Sequence, residues 1–107
     1  MDLPPPIQTY LDADKKNDGE ALIQAFAADA VVRDEGQTHV GRDAIEKWWR
    51  GAKAQYHHAV EPLDAVQNGD AVNVRAKVTG EFPGSPAVLV FAFRHRTGEI
   101  THLDIGA

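Results

Sequence analysis

Apolar residues recur at helical spacing in three places along the chain and alternate, or run together, in the rest. Ile7, Tyr10, Leu11 and Asp14 fall at i, i+3, i+4 and i+7, the spacing of one helix face. Three prolines precede them, and proline is tolerated in a first helical turn, where the N–H has no partner anyway. The pattern predicts a helix from about Pro5 to Lys16. "KNDG" breaks it, and Asp18 then caps a second short helix that carries Leu22, Ile23 and Phe26 on one side and ends near Ala28. The stretch "AADAVVRDEGQ" reads as a strand running into a turn at Glu35-Gly36, with Thr38 to Val40 pairing back. A third helix begins near Arg42, with a stripe of Ile45, Trp48, Trp49, Ala52 and Tyr56. Asp43 with Lys47, and Glu46 with Arg50, are acid-to-base pairs four apart on its solvated side.

From there the period is two. Val60 to Val66 is a candidate strand, and Pro62 within it marks an edge or a bulge. "QNGD" is a hairpin signal. Val72, Val74, Ala76 and Val78 alternate with polar residues as a half-buried antiparallel strand does. "AVLVFAF" is apolar on both faces, which predicts a central strand covered on both sides. "ITHLDI" is the last strand. Helices set apart from an antiparallel meander give an α+β layered fold. A curved, mostly antiparallel sheet wrapped around three helices leaves a cone-shaped cavity, a common ligand site.

Length and composition describe one domain, residues 1–107, of ordinary globular make-up, 43% hydrophobic and 25% charged. The formal net charge of -5 argues against a nucleic-acid partner, whose phosphates favour a basic face. The chain has no cysteine, which excludes a disulfide framework, a thiol nucleophile and a cysteine-ligated zinc site. No apolar run approaches a membrane span, and the first ten residues have neither the basic nor the apolar region of a secretory signal, so a cytoplasmic location is the expectation. The five histidines contain no pair at zinc-helix spacing and no HExxH.

Four stretches, in this order and spacing, resemble the SnoaL-like branch of the nuclear transport factor two-like superfamily. They are "IQTYLDADKKND" followed by "EALIQAFAADAVVRD", then "GRDAIEKWW", "GEFPGSP" and "FRHRTGEITHLDIG". The resemblance implies a cystatin-like α+β roll with a pocket, and often a homodimer through the sheet. The fold hosts isomerases, cyclases, dehydratases, epoxide hydrolases and non-catalytic binders, so it does not by itself name a function. Tyr10, "AFAADA" and Asp34 look like the pattern of ketosteroid isomerase, in which an aspartate removes a proton beside a carbonyl while a tyrosine and a protonated acid hold the oxygen. That likeness implies Asp34 as general base and Tyr10 as donor. It also puts Phe91 where the second donor belongs, and phenylalanine donates nothing.

Each candidate has a plainer reading. Asp34 is either a carboxylate turned into an apolar cavity or a strand-end residue serving the Asp-Glu-Gly turn or an arginine. Tyr10 either directs its hydroxyl into the cavity or buries it against a backbone partner. Trp48 and Trp49 stand about 100° apart on a helix, so they diverge, and Trp48 is the one assigned to the core. Strand alternation turns one of His57 and His58 inward. His102 either lines the pocket or lies on a solvated or interface face. The expected lining is Phe26, Val32, Trp48, Trp49, Phe91 and His102. Proton transfer on a small apolar molecule needs no metal and no cofactor. The competing reading is a ligand-binding or dimeric interaction module without catalysis.

Overall fold

The structure is a computed structural model that describes all residues from Met1 to Ala107. Helix α1 (Pro5–Lys16) begins on prolines and stops where Asn17 turns left-handed, at φ 57°. The Asp18 side chain accepts the Ala21 N–H at 3.1 Å and starts α2 (Gly19–Gln24), as its sequence predicts. Helix α2 is shorter than expected. Phe26 already belongs to β1 (Phe26–Asp34), because the Ala25 carbonyl accepts the Ile100 N–H at 2.8 Å and Phe26 pairs with Ile100. A pairing with the far end of the chain overrides the local helical pattern there.

β1 turns into β2 (Gln37–Val40), and α3 (Arg42–Tyr56) follows. The antiparallel run β3 (Ala59–Asn68), β4 (Ala71–Thr79), β5 (Ala87–Arg96) and β6 (Glu99–Gly106) completes one six-stranded sheet. Its order is β2-β1-β6-β5-β4-β3, and every pair is antiparallel except β1 with β6. β3 is an edge strand whose register shifts between Pro62 and Asp64, as the proline implied. The three helices and the curved, open sheet make the expected α+β roll. No helix is long and apolar enough to cross a membrane.

The core fills the concave side. Val72, Val74, Ala76 and Val78 all face it and are buried. Tyr10 packs edge-on against Phe26 and Phe93, with ring centroids 5.8 and 5.4 Å away. The expected double cover of β5 is half present. Phe91 and Phe93 face the core, whereas Val88 on the opposite face is 49% exposed and no element of the chain lies over it. On α3, Glu46 pairs with Arg50 at 2.8 Å, but Asp43 and Lys47 form no ion pair.

One charged residue lies in this core. Asp14 is 2% exposed and follows Tyr10 at i+4 on α1. The Trp49 indole donates to its Oδ1 at 2.9 Å, His58 Nε2 meets the same oxygen at 3.2 Å, and Lys53 Nζ stands 3.3 Å from Oδ2. Burial alone pushes this carboxyl up. The hydrogen bonds from His58 and Trp49, with the charges of His58 and Lys53, outweigh burial and hold it below the ordinary value. Lys53 also donates to the His58 carbonyl at 2.7 Å, so one cation ties the start of β3 to α3.

Removing one partner of a buried ion pair costs about 3–5 kcal/mol, because the other charge is left uncompensated. Asp14→Asn is therefore expected to lose stability on that order in urea denaturation at neutral pH. The sign with pH follows from the lowered carboxyl. Its contribution is complete above the unfolded value near 3.8 and is lost as pH falls through the folded value. Wild type should lose stability more steeply than Asp14→Asn as pH drops below about 4. Parallel acid titrations of the two proteins would count against this account.

Candidate functional site

The turn after β1 sets the position of the main candidate. Asp34 is the last residue of β1 and pairs with Gln37, so Glu35 and Gly36 form a two-residue hairpin loop. Both have positive φ, 52° and 75°, as the tightest hairpin turns require. This ends the strand with the Asp34 side chain on the same face as buried Val32, toward the helices. Neither plainer reading of Asp34 holds. Arg33 approaches Asp104 instead, at 3.9 Å, and Asp34 Oδ2 accepts the Trp48 indole N–H at 3.0 Å.

Asp34 borders a cavity of about 120 Å³ between α1, α3 and the concave face of the sheet. Tyr10, Trp48, Tyr56, Phe82 and Phe91 supply aromatic surface to its wall; Val60, Val78, Leu89 and Ile105 supply aliphatic surface. Its polar groups come from Tyr10, Asp34, Glu35, Tyr56 and His58. Glu35 Oε1 accepts the Tyr56 hydroxyl at 3.2 Å, which ties the hairpin to the last turn of α3.

Tyr10 is 2% exposed, yet its hydroxyl has no hydrogen-bond partner in the chain. Asp14 Oδ2, which has the Lys53 charge beside it but no hydrogen bond, is the one fully enclosed side-chain atom without a hydrogen-bond partner, so the Tyr10 oxygen opens on to the cavity. Burial raises its pKa well above the ordinary phenol value, and the negative charges of Asp14 and Asp34 raise it further. Tyr10 therefore stays protonated and can donate. Phe91 lies beside it, ring centroids 6.5 Å apart, and adds no donor.

His58 is the inward member of the histidine pair. His57 ends α3 in a left-handed conformation, φ 49°, and its exposed ring contacts Glu81 through Nδ1. His58 then enters β3 facing the cavity with Nε2 on Asp14; its Nδ1 has no partner. Gly80 holds the segment that brings Phe82 to the cavity. A Cβ at Gly80 would stand 2.8 Å from the Tyr56 carbonyl oxygen, which accepts the neighbouring Glu81 N–H at 2.7 Å.

Tyr10, Asp34, Trp48 and Phe91 thus border one cavity, and the structure places Trp49, Phe26, Val32 and His102 away from it. The two tryptophans exchange roles: Trp49 is the buried one, at 2% exposure, and half-buried Trp48 lines the cavity. Their indole N–H groups decide this, because each is claimed by a different aspartate. Trp49 therefore lines no part of this cavity. Phe26 and Val32 are both fully buried within the core and do not reach the cavity wall. His102 lies on the outer face of β6, because Leu103, its fully buried neighbour, takes the inward direction.

Asp14, Lys53, Glu35, Tyr56 and Phe82 were not foreseen. Tyr56 was visible on the α3 stripe, and Phe82 only as part of a turn. Nothing local to Asp14 predicts its partners, which lie at least 35 residues away. No group of three or more histidine, aspartate or glutamate side chains is arranged to hold a metal ion.

This architecture recurs among solved structures. A candidate polyketide cyclase from Sinorhizobium meliloti is 48% identical, with a TM-score of 0.96 over 98% of this chain and 96% of that one. A protein of ketosteroid isomerase-like fold from Catenulispora acidiphila, crystallised with trimethylamine, is 26% identical. Its TM-score is 0.85, over 99% of this chain and 87% of that one. A computationally designed 17-OHP binder is 20% identical, with a TM-score of 0.83 over 100% of this chain and 92% of that one, a likeness of fold alone. No curated protein matches the sequence. The SnoaL-like domain family model matches residues 7–103, and with this fold and these relatives the chain belongs to the SnoaL-like family.

Proposed function

We propose that the chain binds one small, mostly apolar molecule in the cavity and moves a proton on it. Asp34 is the proton acceptor and Tyr10 the donor to the oxygen that becomes more negative. The observation that carries this reading is the meeting of the unpartnered Tyr10 hydroxyl and the Asp34 carboxylate on one aromatic-walled cavity. Asp34 uses Oδ2 to accept from Trp48, which leaves Oδ1 free to take a proton. The unpartnered Nδ1 of His58 is a further polar atom of the lining, held in place by the contact of Nε2 with Asp14. The cavity volume of about 120 Å³ suits a ligand of about one ring, since an engineered 150 Å³ cavity holds benzene. A polyketide cyclase assignment in one relative and trimethylamine bound to another support a small-molecule ligand.

Phe91 limits the chemistry. One missing oxyanion donor costs about 2.7–4 kcal/mol of transition-state stabilisation, so Tyr10 works alone. This favours a binder as the second reading. Cyclohexanone, a one-ring ketone, separates the two. Exchange of its α-protons in D₂O, followed by proton NMR, should exceed the buffer rate with wild type and fall about 10²–10⁴-fold with Asp34→Asn. Binding, read from the Trp48 indole resonance, should change little. Binding without exchange by wild type would make the chain a binder. No response of the Trp48 resonance would remove the cavity from consideration.

We also propose a homodimer through the outer face of the sheet. Val88 at 49% exposure and Val66 at 68% lie there, on β5 and β3 with β4 between them, on a face that a second copy can cover. Light scattering at micromolar concentration should give twice the 11.7 kDa chain mass. A value of one chain mass refutes the dimer.

A further inference from the structure

We propose that the ligand of this cavity is a small organic cation, an alkylated ammonium with an apolar body. The inference rests on the reading above that the cavity is a ligand site, and it adds the sign of the ligand's charge.

The first argument is the charge left uncompensated in the wall. Asp34 and Glu35 both border the cavity, and no lysine or arginine does. Neither carboxylate takes part in an ion pair. Asp14, Asp64, Glu46 and Glu99 each have one, with Lys53, Arg75, Arg50 and Arg42 respectively. Asp34 and Glu35 accept only from neutral groups, the Trp48 indole and the Tyr56 phenol, through one oxygen each. The second oxygen of each has no partner in the chain. The remaining titratable groups do not offset them. Tyr10 and Tyr56 are both pushed above the ordinary phenol value, Tyr10 by its burial and then by Asp14 and Asp34, Tyr56 by desolvation and then by Glu35 and Asp34. Both stay neutral, with a phenol oxygen able to accept. His58 is turned by Nε2 toward Asp14, whose charge it shares with Lys53.

The second argument is the wall itself. A cation is attracted to aromatic faces, and more strongly once desolvated. Tyr10, Trp48, Tyr56, Phe82 and Phe91 surround the same space, with Phe82 edge-on to Tyr56 at 6.0 Å and 84°. A third observation points to a polar ligand atom. Tyr10 is buried and its hydroxyl opens on to the cavity without a partner. An ammonium N–H, or a hydroxyl carried by the ligand, meets that oxygen. An anion of the same size would face two carboxylates, and like charges brought together disfavour binding. A neutral molecule would gain at most a hydrogen bond to either acid, without the attraction of opposite charges.

Choline and 3,3-dimethylbutan-1-ol have the same shape and differ in the charge of one atom. Each is titrated into the whole chain labelled with nitrogen-15. The indole resonance of Trp48 reports the cavity, and that of Trp49, bound to Asp14, serves as the internal control. At low salt, choline should bind at least about tenfold more tightly than the alcohol, and 3,3-dimethylbutanoate more weakly than either. Raising the salt should weaken choline and leave the alcohol unchanged. The double variant Asp34→Asn, Glu35→Gln should bring choline to the level of the alcohol. The salt arm stands even if that variant fails to fold. An alcohol that binds as tightly as choline overturns the preference for a cation and leaves the cavity as a ligand site. Choline binding that responds neither to salt nor to the variant also overturns it. If neither probe moves the Trp48 resonance, the ligand-site reading falls as well.

Discussion

A carboxylate taken out of water must be given donors and opposite charge, and Asp14 obtains both from elsewhere in the chain. Trp49 and Lys53 come from α3, and His58 comes from the first residues after it. Hydrophobic contact would let α1 and α3 slide or rotate at small cost, because apolar burial has no direction. Hydrogen bonds and ion pairs at about 3 Å do have direction. Asp14 therefore fixes how α1 faces α3, and where the chain turns into β3. Tyr10 lies one helical turn from Asp14, so the same constraint sets where the phenol meets the cavity.

The rotation of α3 is fixed a second time at Trp48. Two adjacent tryptophans project in directions about 100° apart, and each indole N–H binds a different aspartate, Asp34 on β1 or Asp14 on α1. A helix with one such bond could still turn about its axis. With two it has a single orientation, which sends Trp49 into the core and Trp48 to the cavity. An apolar stripe cannot make this distinction, because both rings belong to it. Polar atoms at the tips of the rings make the choice, and their partners lie 14 and 35 residues away.

This separates what the sequence states from what it leaves open. Helix α1, the start of α2 and the start of α3 are written locally, in prolines, the Asp18 cap and apolar spacing, and the structure places α1 at the predicted residues. The edge character of β3 is written in Pro62. The end of α2 is not, because Phe26 joins a parallel pairing with Ile100 that no local pattern contains. In the cavity, Tyr10, Asp34 and Phe91 were accessible through their register with related sequences. Asp14 was visible only as one more position on a helix face. Its burial depends on three partners contributed from residues 49 to 58. His102 shows the opposite limit, since alternation fixes that neighbours diverge but not which of them points inward.

The same two carboxylates bear on the chemistry the cavity can perform. Tyr10 is kept protonated by its burial and by the fields of Asp14 and Asp34, which makes it a dependable donor. Those fields also oppose any negative charge that develops beside it. Phe91 beside Tyr10 adds no donor, so an oxyanion there would form near uncompensated acids with one hydrogen bond to hold it. Transferring a proton from a neutral carbon acid to Asp34 conserves the negative charge and moves it on to the ligand. Transferring one from a cationic ligand removes both charges. A ligand that brings its own positive charge thus makes the unpaired acids an asset. The cavity's electrostatics and its missing donor then favour the same class of molecule.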